Sequence, residues 1–250
     1  MFTFEDNFRE SPMSIKWSAD FLPGQVFRMC YPENFSVAGG LKDSRRHFMV
    51  HCRKDLTFNW EFGDDHAEAS GSDPIGKVHL VLNADVAGRS LRWSMSFRNS
   101  TDTVLAKVSA FNCLNLANAP LFRDLELQRT RTRGADGNWV TLRDVPKELR
   151  ADTSMQCYPT AGGIDMVNHL AGSKSHGWGV ARAVLSGDRI VVDSVDGRWM
   201  LESIVDGQVA YFFTNWAADD AGCIHAAPLF GDVGPGEEVS VGGRIRFVNR

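Results

Sequence analysis

The sequence has few cysteines and no spacing that would give them a structural task. Only 5 of its 250 residues are cysteine, and no two of them form a CxxC motif. An odd number of scattered cysteines argues against a disulfide framework and against a structural zinc site. We therefore expect a reducing compartment and a cytoplasmic protein. The composition, 43% hydrophobic and 23% charged residues, is that of a globular protein with a full core.

Long hydrophobic runs, targeting segments and an excess of positive charge are also missing. No run approaches the roughly 20 apolar residues of a transmembrane helix. The N-terminal MFTFEDNFRE has neither the basic nor the apolar region of a secretory signal. With 27 Lys plus Arg against 31 Asp plus Glu, the net charge of −4 gives no general attraction to nucleic acid or to anionic membranes. We predict neither as a partner.

Motifs that identify a cofactor or a nucleophile are absent too. GxGxxG and P-loop patterns do not occur, and neither do GxSxG or SxxK. The sequence has no HExxH and no HxH pair. His47 and His51 would share a strand face but lie roughly 13 Å apart at about 3.3 Å per residue, too far to share one ion. We therefore predict no cofactor and no metal site.

Alternation of apolar and polar residues is the dominant pattern that is present. The run Leu91 to Arg98 alternates without a break, and Lys77 to Asn83 and Gly243 to Val248 repeat the pattern. This period is typical of antiparallel strands with one buried face and one wet face. Turn signals such as Asp196-Gly197 separate further β-rich runs. We predict an all-β fold, a large antiparallel two-sheet β-sandwich that residues 1–250 form as a single domain.

One irregular excursion, residues 144–177, interrupts the strands. Within it, only Val145 to Ala151 and Ile164 to Ala171 could hold a short helix. Loops on rigid β scaffolds are where binding sites are often built. His176 lies in this excursion and is a candidate substrate-binding residue on a lid, the alternative being a polar surface loop.

A row of arginines is the first candidate for ligand binding. As a strand, Leu125 to Arg133 would place Arg129, Arg131 and Arg133 on one face. Guanidinium groups bind carboxylate or phosphate through paired hydrogen bonds. The alternative is a solvated outer face whose arginines pair with acids on a neighbouring strand. Arg123, next to Asp124 after a proline-containing turn, either joins this binding site or forms an ion pair that holds the loop.

Two further clusters carry polar groups among apolar ones. Asn112 lies in an apolar strand, where a buried amide is costly unless it is hydrogen-bonded, so it either holds a loop or faces a ligand. Asn215 to Pro228 reads as a loop that brings Trp216 and His225 together with two acids. Such a loop could stack on a sugar and titrate near neutral pH. The alternative is that His225 is a hydrogen-bonded core histidine.

The string of strands, the segment NW…CIHAAP, the PGE turn after it and the final GRIRF strand resemble the galactose-mutarotase-like β-sandwich group. The resemblance covers the general layout of most of the chain. It implies a concave sheet face that binds sugars, with a histidine and a carboxylate as acid and base. His225 would match the histidine, and Glu202, on a predicted strand near Trp199, is the nearest candidate for the carboxylate.

Two functional hypotheses follow. The first is a carbohydrate-active enzyme, of epimerase, lyase or hydrolase type, that transfers protons on a sugar or uronic acid. His225 would be acid or base, an arginine of the row would neutralise an anionic group, and Trp216 would stack on the sugar. The second is a non-catalytic carbohydrate-binding module or an assembly subunit, with Trp178 and Trp216 lining the face and a homo-oligomer as one form. If His225, the arginine row and a carboxylate face different surfaces, the enzyme hypothesis loses its basis.

Overall fold

The computed structural model describes residues 1–6, 11–42, 46–50, 56–148, 155–171, 178–218 and 221–250. Strands dominate these ranges, and the single α-helix within them, α1 (Ile164–Ala171), has 8 residues. In the described ranges, no helical segment reaches the length and apolarity that a membrane crossing requires. The predicted helix at Ile164 to Ala171 is confirmed.

The strands form two large sheets. In chain order they are β1 (Phe2–Asp6), β2 (Ser14–Ala19), β3 (Val26–Cys30), β4 (Phe35–Ser36), β5 (His47–Phe48), β6 (Thr57–Phe62), β7 (His66–Ser72), β8 (Gly76–Asp85), β9 (Ser90–Asn99), β10 (Leu105–Ala110), β11 (Cys113–Asn115), β12 (Thr130–Gly134), β13 (Trp139–Thr141), β14 (Lys147–Glu148), β15 (Gln156–Pro159), β16 (Gly179–Ala181), β17 (Leu185–Asp193), β18 (Trp199–Asp206), β19 (Val209–Ala218), β20 (Ala221–Val233) and β21 (Glu238–Asn249).

The two sheets differ in size and in strand order. The twelve-stranded sheet runs β1-β2-β3-β11-β20-β19-β15-β16-β14, and β10, β4 and β5 extend it from β20. The nine-stranded sheet runs β13-β12-β17-β18-β21-β9-β8-β7-β6. Among the described strands, the β15–β16 pair is parallel and the other pairs are antiparallel. The predicted all-β, two-sheet sandwich is therefore confirmed.

The main core lies between the sheets and is joined by aromatic contacts. Trp17 and Phe27 of the twelve-stranded sheet stack with ring centroids 4.4 Å apart. Phe247 of the nine-stranded sheet lies 5.4 Å from Phe27 and 6.0 Å from Trp17. Each of the three rings is at most 3% exposed. Aromatic pairs at such distances add about 0.5–1.5 kcal/mol to the stabilisation that burial itself provides. These rings tie the two sheets together.

A second apolar cluster lies on the opposite face of the twelve-stranded sheet. Phe212 of β19 packs in the main core, whereas its neighbours Tyr211 and Phe213 pack with Met166 and Val167 of α1. The middle of this sheet is therefore buried on both faces. Alternation predicted that each sheet has one face exposed to solvent. This prediction is correct for β9 but not for β19 or β20.

Helix α1 is held against β19 by the turn that precedes it. The hydroxyl of Thr160 donates to the carbonyl oxygens of Val209 and Ala210, at 2.5 and 3.0 Å. Gly163 follows, and a Cβ there would lie 1.8 Å from the carbonyl oxygen of Ala210. Only glycine permits so close an approach. This contact places α1 over the outer face of the twelve-stranded sheet.

Three local predictions need correction. Asn215 to Pro228 is not a loop, because β19 and β20 span most of it. This segment of β20 was not predicted as a strand because its small buried residues do not alternate with polar ones. It also contains a proline, Pro228, which lies where the register with β19 shifts. The strand predicted at Leu125 to Arg133 begins only at Thr130, after a turn in which Leu127 has a φ of 56°. In Val145 to Ala151, residues 147 and 148 form a strand, and 149–151 lie outside the described ranges.

Glu202 is the buried centre of an ion-pair network on the nine-stranded sheet. Its carboxylate accepts hydrogen bonds from Arg246 Nε at 2.6 Å and from Arg189 Nη1 at 3.3 Å. The glutamate side chain is 3% exposed, whereas the arginines are 28% and 37% exposed. Removing a buried partner is costly because the remaining charges lose their compensation. The partial exposure of both arginines limits that cost, since water can hydrate them.

We therefore expect Glu202→Ala to lower the free energy of unfolding by about 2 kcal/mol. The measurement is urea denaturation, and Glu126→Ala is the control. Glu126 lies 3.8 Å from Arg143 with a 72% exposed side chain, so its loss should change stability little. Equal stability of both variants would show that the Glu202 network does not contribute to the fold.

Candidate functional site

A row of side chains crosses the middle of the twelve-stranded sheet at His225. The strand register pairs Cys157 with Phe213, Phe213 with His225, His225 with Cys113, and Cys113 with Cys30. Residues directly opposite one another in a sheet point to the same face. Phe213 packs in the cluster next to α1. Phe213 and Cys157 of this row therefore lie on the face next to α1, whereas Cys113 and Cys30 also pack against residues of the main core.

A cavity of about 330 Å³ opens over this row. Its size falls within the range of pockets that hold small molecules. The walls combine aromatic rings with a few polar groups, the composition typical of such sites. Among the lining residues are the rings of Phe111, Trp178, Tyr211 and Phe213 and the polar groups of Glu33, Asn34, His47, Asn215 and His225.

His225 is packed tightly between aromatic rings. Its imidazole stacks on Phe111 with centroids 4.1 Å apart and an interplanar angle of 16°, and it meets Phe213 edge-on at 5.3 Å. The residue is 2% exposed. Its Nδ1 has no hydrogen-bond partner among the described residues. A buried polar atom without a partner is costly and marks a place where a ligand can bind.

Burial controls the charge of His225. Desolvation lowers the pKa of His225 from 6.5 to about 3, and a hydrogen bond with the backbone of Asn112 offsets part of this effect. The ring is therefore neutral at pH 7 and offers one N–H donor and one lone pair. The sequence hypothesis that this histidine titrates near neutral pH is therefore wrong.

Glu33 is the carboxylate on the cavity wall, and sequence reasoning missed it. Its backbone N–H donates to the carbonyl oxygen of Phe111 at 2.7 Å, which fixes its main chain beside that of Phe111, the residue whose ring stacks on His225. The sequence feature that comes closest to indicating Glu33 as a site residue is its position in the turn directly after β3. Only the pairing of β3, β11 and β20 brings this turn to His225.

A polar group of three side chains forms another part of the wall. His47 Nδ1 lies 3.0 Å from Ser36 Oγ and 3.2 Å from Asn34 Oδ1. All three residues line the cavity. The group offers hydroxyl, amide and imidazole hydrogen bonds to a polar ligand.

Several predicted site residues lie away from this cavity. Glu202 lies in the other sheet, bound to two arginines, so the structure does not bring it together with His225. Trp216 is 7% exposed and packs in the main core. Asn112 is 1% exposed, and neither of its amide atoms has a hydrogen-bond partner within the described ranges. His176 lies outside the described residues.

The arginine row also lies elsewhere, on the nine-stranded sheet. Arg131 pairs with Asp193 of the neighbouring strand at 2.6 Å, as the surface alternative expects. Arg129 donates to the carbonyl oxygens of Leu121 and Asp193 and to that of Arg123. Of the described arginines, none lines the cavity over His225. The arginine row and Glu202 therefore lie on the other sheet from His225, and the enzyme hypothesis in the form that the sequence suggested loses its basis. The cavity instead brings His225 together with a carboxylate that was not predicted, Glu33.

Asp124 organises the loop that precedes the arginine row. It is 4% exposed and accepts hydrogen bonds from the backbone N–H of Arg129 at 2.8 Å and from the hydroxyl of Thr130 at 2.7 Å. The carboxylate thus holds the turn in which Leu127 has a positive φ. Its role is structural.

The sheet also gathers three possible metal ligands. The donor atoms of Cys113, Cys223 and His225 all lie within 4.8 Å of one another, and all three residues are buried. A hydrogen bond with Cys223 and burial raise the pKa of the Cys113 thiol. The spacing of cysteines and histidines in the sequence gave no sign of this group, because β11 and β20 lie far apart in the chain.

A second cavity, of about 400 Å³, lies on the nine-stranded sheet. Hydroxyls, amides and charged groups line it, including Asn59, Lys77, His79, Arg98 and Glu238. It has no aromatic wall among the described residues. This cavity lacks a surface on which a sugar ring could stack.

The buried imidazole predicts a pH dependence of stability. Unfolded His225 has a pKa near 6.5 and folded His225 a pKa of about 3, so between these values the unfolded state binds the extra proton. Stability is therefore complete above pH 6.5 and falls as pH is lowered, at most about 1.4 kcal/mol per pH unit from this residue. With a chelator present, urea denaturation between pH 6.5 and 4.5 should show a shallower loss for His225→Asn. Parallel curves would contradict the buried neutral state.

No protein-family model matches the chain, and no curated protein sequence matches it. Solved structures do match. The Slr1438 protein from Synechocystis sp. PCC 6803 has a TM-score of 0.54 at 11% identity, covering 100% of this chain and 96% of that one. This likeness shows the fold alone.

Two further similar structures carry names that describe a sugar-related group. A galactose mutarotase-like protein from Clostridium acetobutylicum has a TM-score of 0.43 at 9% identity, over 100% of this chain and 99% of that one. A putative aldose 1-epimerase from Escherichia coli K12 has a TM-score of 0.41 at 10% identity, over 76% and 69%. Galactose mutarotase-like proteins, the group that the sequence resembles, are thus among the similar structures found.

Proposed function

We propose that this protein binds a neutral sugar in the cavity over His225 and interconverts its anomers by proton transfer. The observation that carries the proposal is the shared wall of that cavity. An imidazole whose Nδ1 has no partner within the described ranges and a carboxylate, Glu33, line it together with aromatic rings. Acid–base catalysis on a sugar requires two such groups around one bound ring.

The aromatic wall supports a sugar as the ligand class. Trp178, which meets Phe213 edge-on at 5.9 Å, offers an apolar surface for the C–H face of a pyranose. Asn34, Asn215 and His47 supply polar groups for the hydroxyls. Apolar walls with a few placed polar groups are what fix the orientation of a small ligand.

The reaction needs one proton shared between the two groups. We assign His225 Nδ1 as the acceptor of the proton of the anomeric hydroxyl, and Glu33 as the group that passes a proton to the ring oxygen. The bond between the anomeric carbon and the ring oxygen breaks, and a carbonyl group forms. After rotation about the adjacent bond, the reverse transfers close the ring on the other face and restore both groups.

The anionic form of the hypothesis loses its support. β-Elimination on a uronic acid needs a cation to neutralise the substrate carboxylate, and the arginine row lies on the other sheet. Among the reaction types that the sequence suggested, an epimerase-type reaction on a neutral sugar needs no arginine. It requires only an acid and a base, and Glu33 and His225 at the cavity can fill these roles. The same groups would also serve a non-catalytic sugar-binding module, which turnover measurements separate from an enzyme.

We expect Glu33→Gln and His225→Asn each to reduce the rate of anomer interconversion by at least about 100-fold, because each removes one half of the proton transfer. The rate is measured by exchange NMR on α- and β-anomers of a panel of aldoses. Glu126→Gln, an exposed carboxylate change, is the control and should turn over as wild type.

Unchanged rates in both variants would exclude them as the acid–base pair. Saturable sugar binding by the wild type without any acceleration of interconversion would instead identify a binding module. Both results are read from the same samples.

The aromatic wall gives a separate prediction about affinity. Trp178→Ala should weaken sugar binding by about tenfold, the upper end of what one stacked aromatic ring contributes. Trp139→Ala is the matched control, since this tryptophan is 38% exposed and lies in the nine-stranded sheet. Isothermal titration calorimetry measures both. Equal affinities would show that the sugar does not stack on Trp178.

A further inference from the structure

We propose that Cys113, Cys223 and His225 form a binding site for Zn²⁺. This inference goes beyond the proposed sugar chemistry and does not rest on it. The three donors come from two paired strands, β11 and β20, and their positions are set by register. Cys113 lies directly opposite His225, and Cys223 precedes His225 by two residues on β20.

The distances suit a zinc site after a small side-chain adjustment. All three donor atoms lie within 4.8 Å of one another. In a tetrahedral zinc site, bonds of about 2.3 Å to sulfur and 2.0 Å to nitrogen place neighbouring donor atoms roughly 3.5–3.8 Å apart. Side-chain rotation on fixed strands can close the remaining gap of up to about 1 Å, so the backbone does not have to move.

The donor set has the chemistry that zinc selects. Thiolates and a neutral imidazole are its preferred ligands, and two cysteines with one histidine leave a fourth position open. On binding, the two thiols release their protons to solvent, and the two thiolates balance the charge of the ion.

Two observations beyond the distances between the donor atoms support a ligand here. The Nδ1 of His225 has no hydrogen-bond partner among the described residues, although the side chain is 98% buried. In addition, Asn115 Nδ2 donates to Cys223 Sγ at 3.4 Å. Hydrogen bonds from a neighbouring residue to a metal-bound sulfur orient the ligand and adjust its affinity. The site therefore has both an unused donor atom and a supporting contact.

Zinc and the proposed proton transfer use the same lone pair. An ion bound to His225 prevents that ring from accepting a proton, so occupancy of the site should inhibit sugar turnover. Zinc binding is measured without sugar, and the two proposals can therefore fail separately. Glu33→Gln, which should lose turnover, should keep the metal.

The test is a titration of the reduced, metal-free protein with Co²⁺, followed by displacement with Zn²⁺. The expected result is one ion per chain, with the near-ultraviolet absorption of cobalt bound to thiolate and the visible bands of a tetrahedral site. Cys223→Ser and His225→Asn should each weaken binding by at least about 100-fold, and Asn115→Ala by about tenfold.

Cys157→Ser is the matched control. This thiol is buried in the same cross-strand row, but Phe213 separates it from His225 in the register. Its loss should leave Co²⁺ binding unchanged. Circular dichroism of each metal-free variant establishes that it is folded.

The wild-type titration decides the proposal even if a variant does not fold. Absence of the thiolate-to-cobalt absorption in the wild type overturns it, as does retention of that absorption at full strength in Cys223→Ser. Loss of absorption in Cys157→Ser, with Cys223→Ser unaffected, would place the metal on a different set of cysteines and also overturn it.

Discussion

The pairing of β19 with β20 at the centre of the twelve-stranded sheet is the constraint on which the site depends. It places Phe212 and Ile224 in the main core, and by the same register it places Phe213 opposite His225 on the other face. That second face is covered by α1, which Thr160 and Gly163 hold against β19. Because this central strand pair is covered on both faces, its side chains have little room to move and little contact with water. His225 is therefore buried and neutral.

The sequence predicts those strands in which apolar and polar residues alternate, and it does not predict the strands that lack this alternation. The strand from Leu91 to Arg98 has one wet face, so its period revealed it, and the two-sheet sandwich followed from runs of this kind. β20 has no such period because both of its faces are buried, and its small residues resembled a loop. His225 was identified as a site residue from its chemical type, but its setting was wrong for that reason. The expectation that residues 1–250 form a single domain stays a prediction.

The companions of His225 show the same limit. Glu33, Cys113 and Cys223 come from three separate parts of the chain, and only strand register brings them to one place. Sequence reasoning instead joined His225 to Glu202 and Trp216, which lie close to it in the chain or on a predicted strand. The first belongs to an ion-pair network of the other sheet, and the second packs in the main core. Neighbours in sequence were not neighbours in the sheet.

The central claim is that ligands bind over His225 and not on the polar face of the nine-stranded sheet. A crystal structure of the protein grown with a neutral aldose tests it most directly, because the two cavities lie on different sheets. We expect a sugar ring against Trp178 with a hydroxyl within hydrogen-bonding distance of His225 Nδ1. A sugar bound instead beside Lys77 and Arg98, with the cavity over His225 empty, would contradict it.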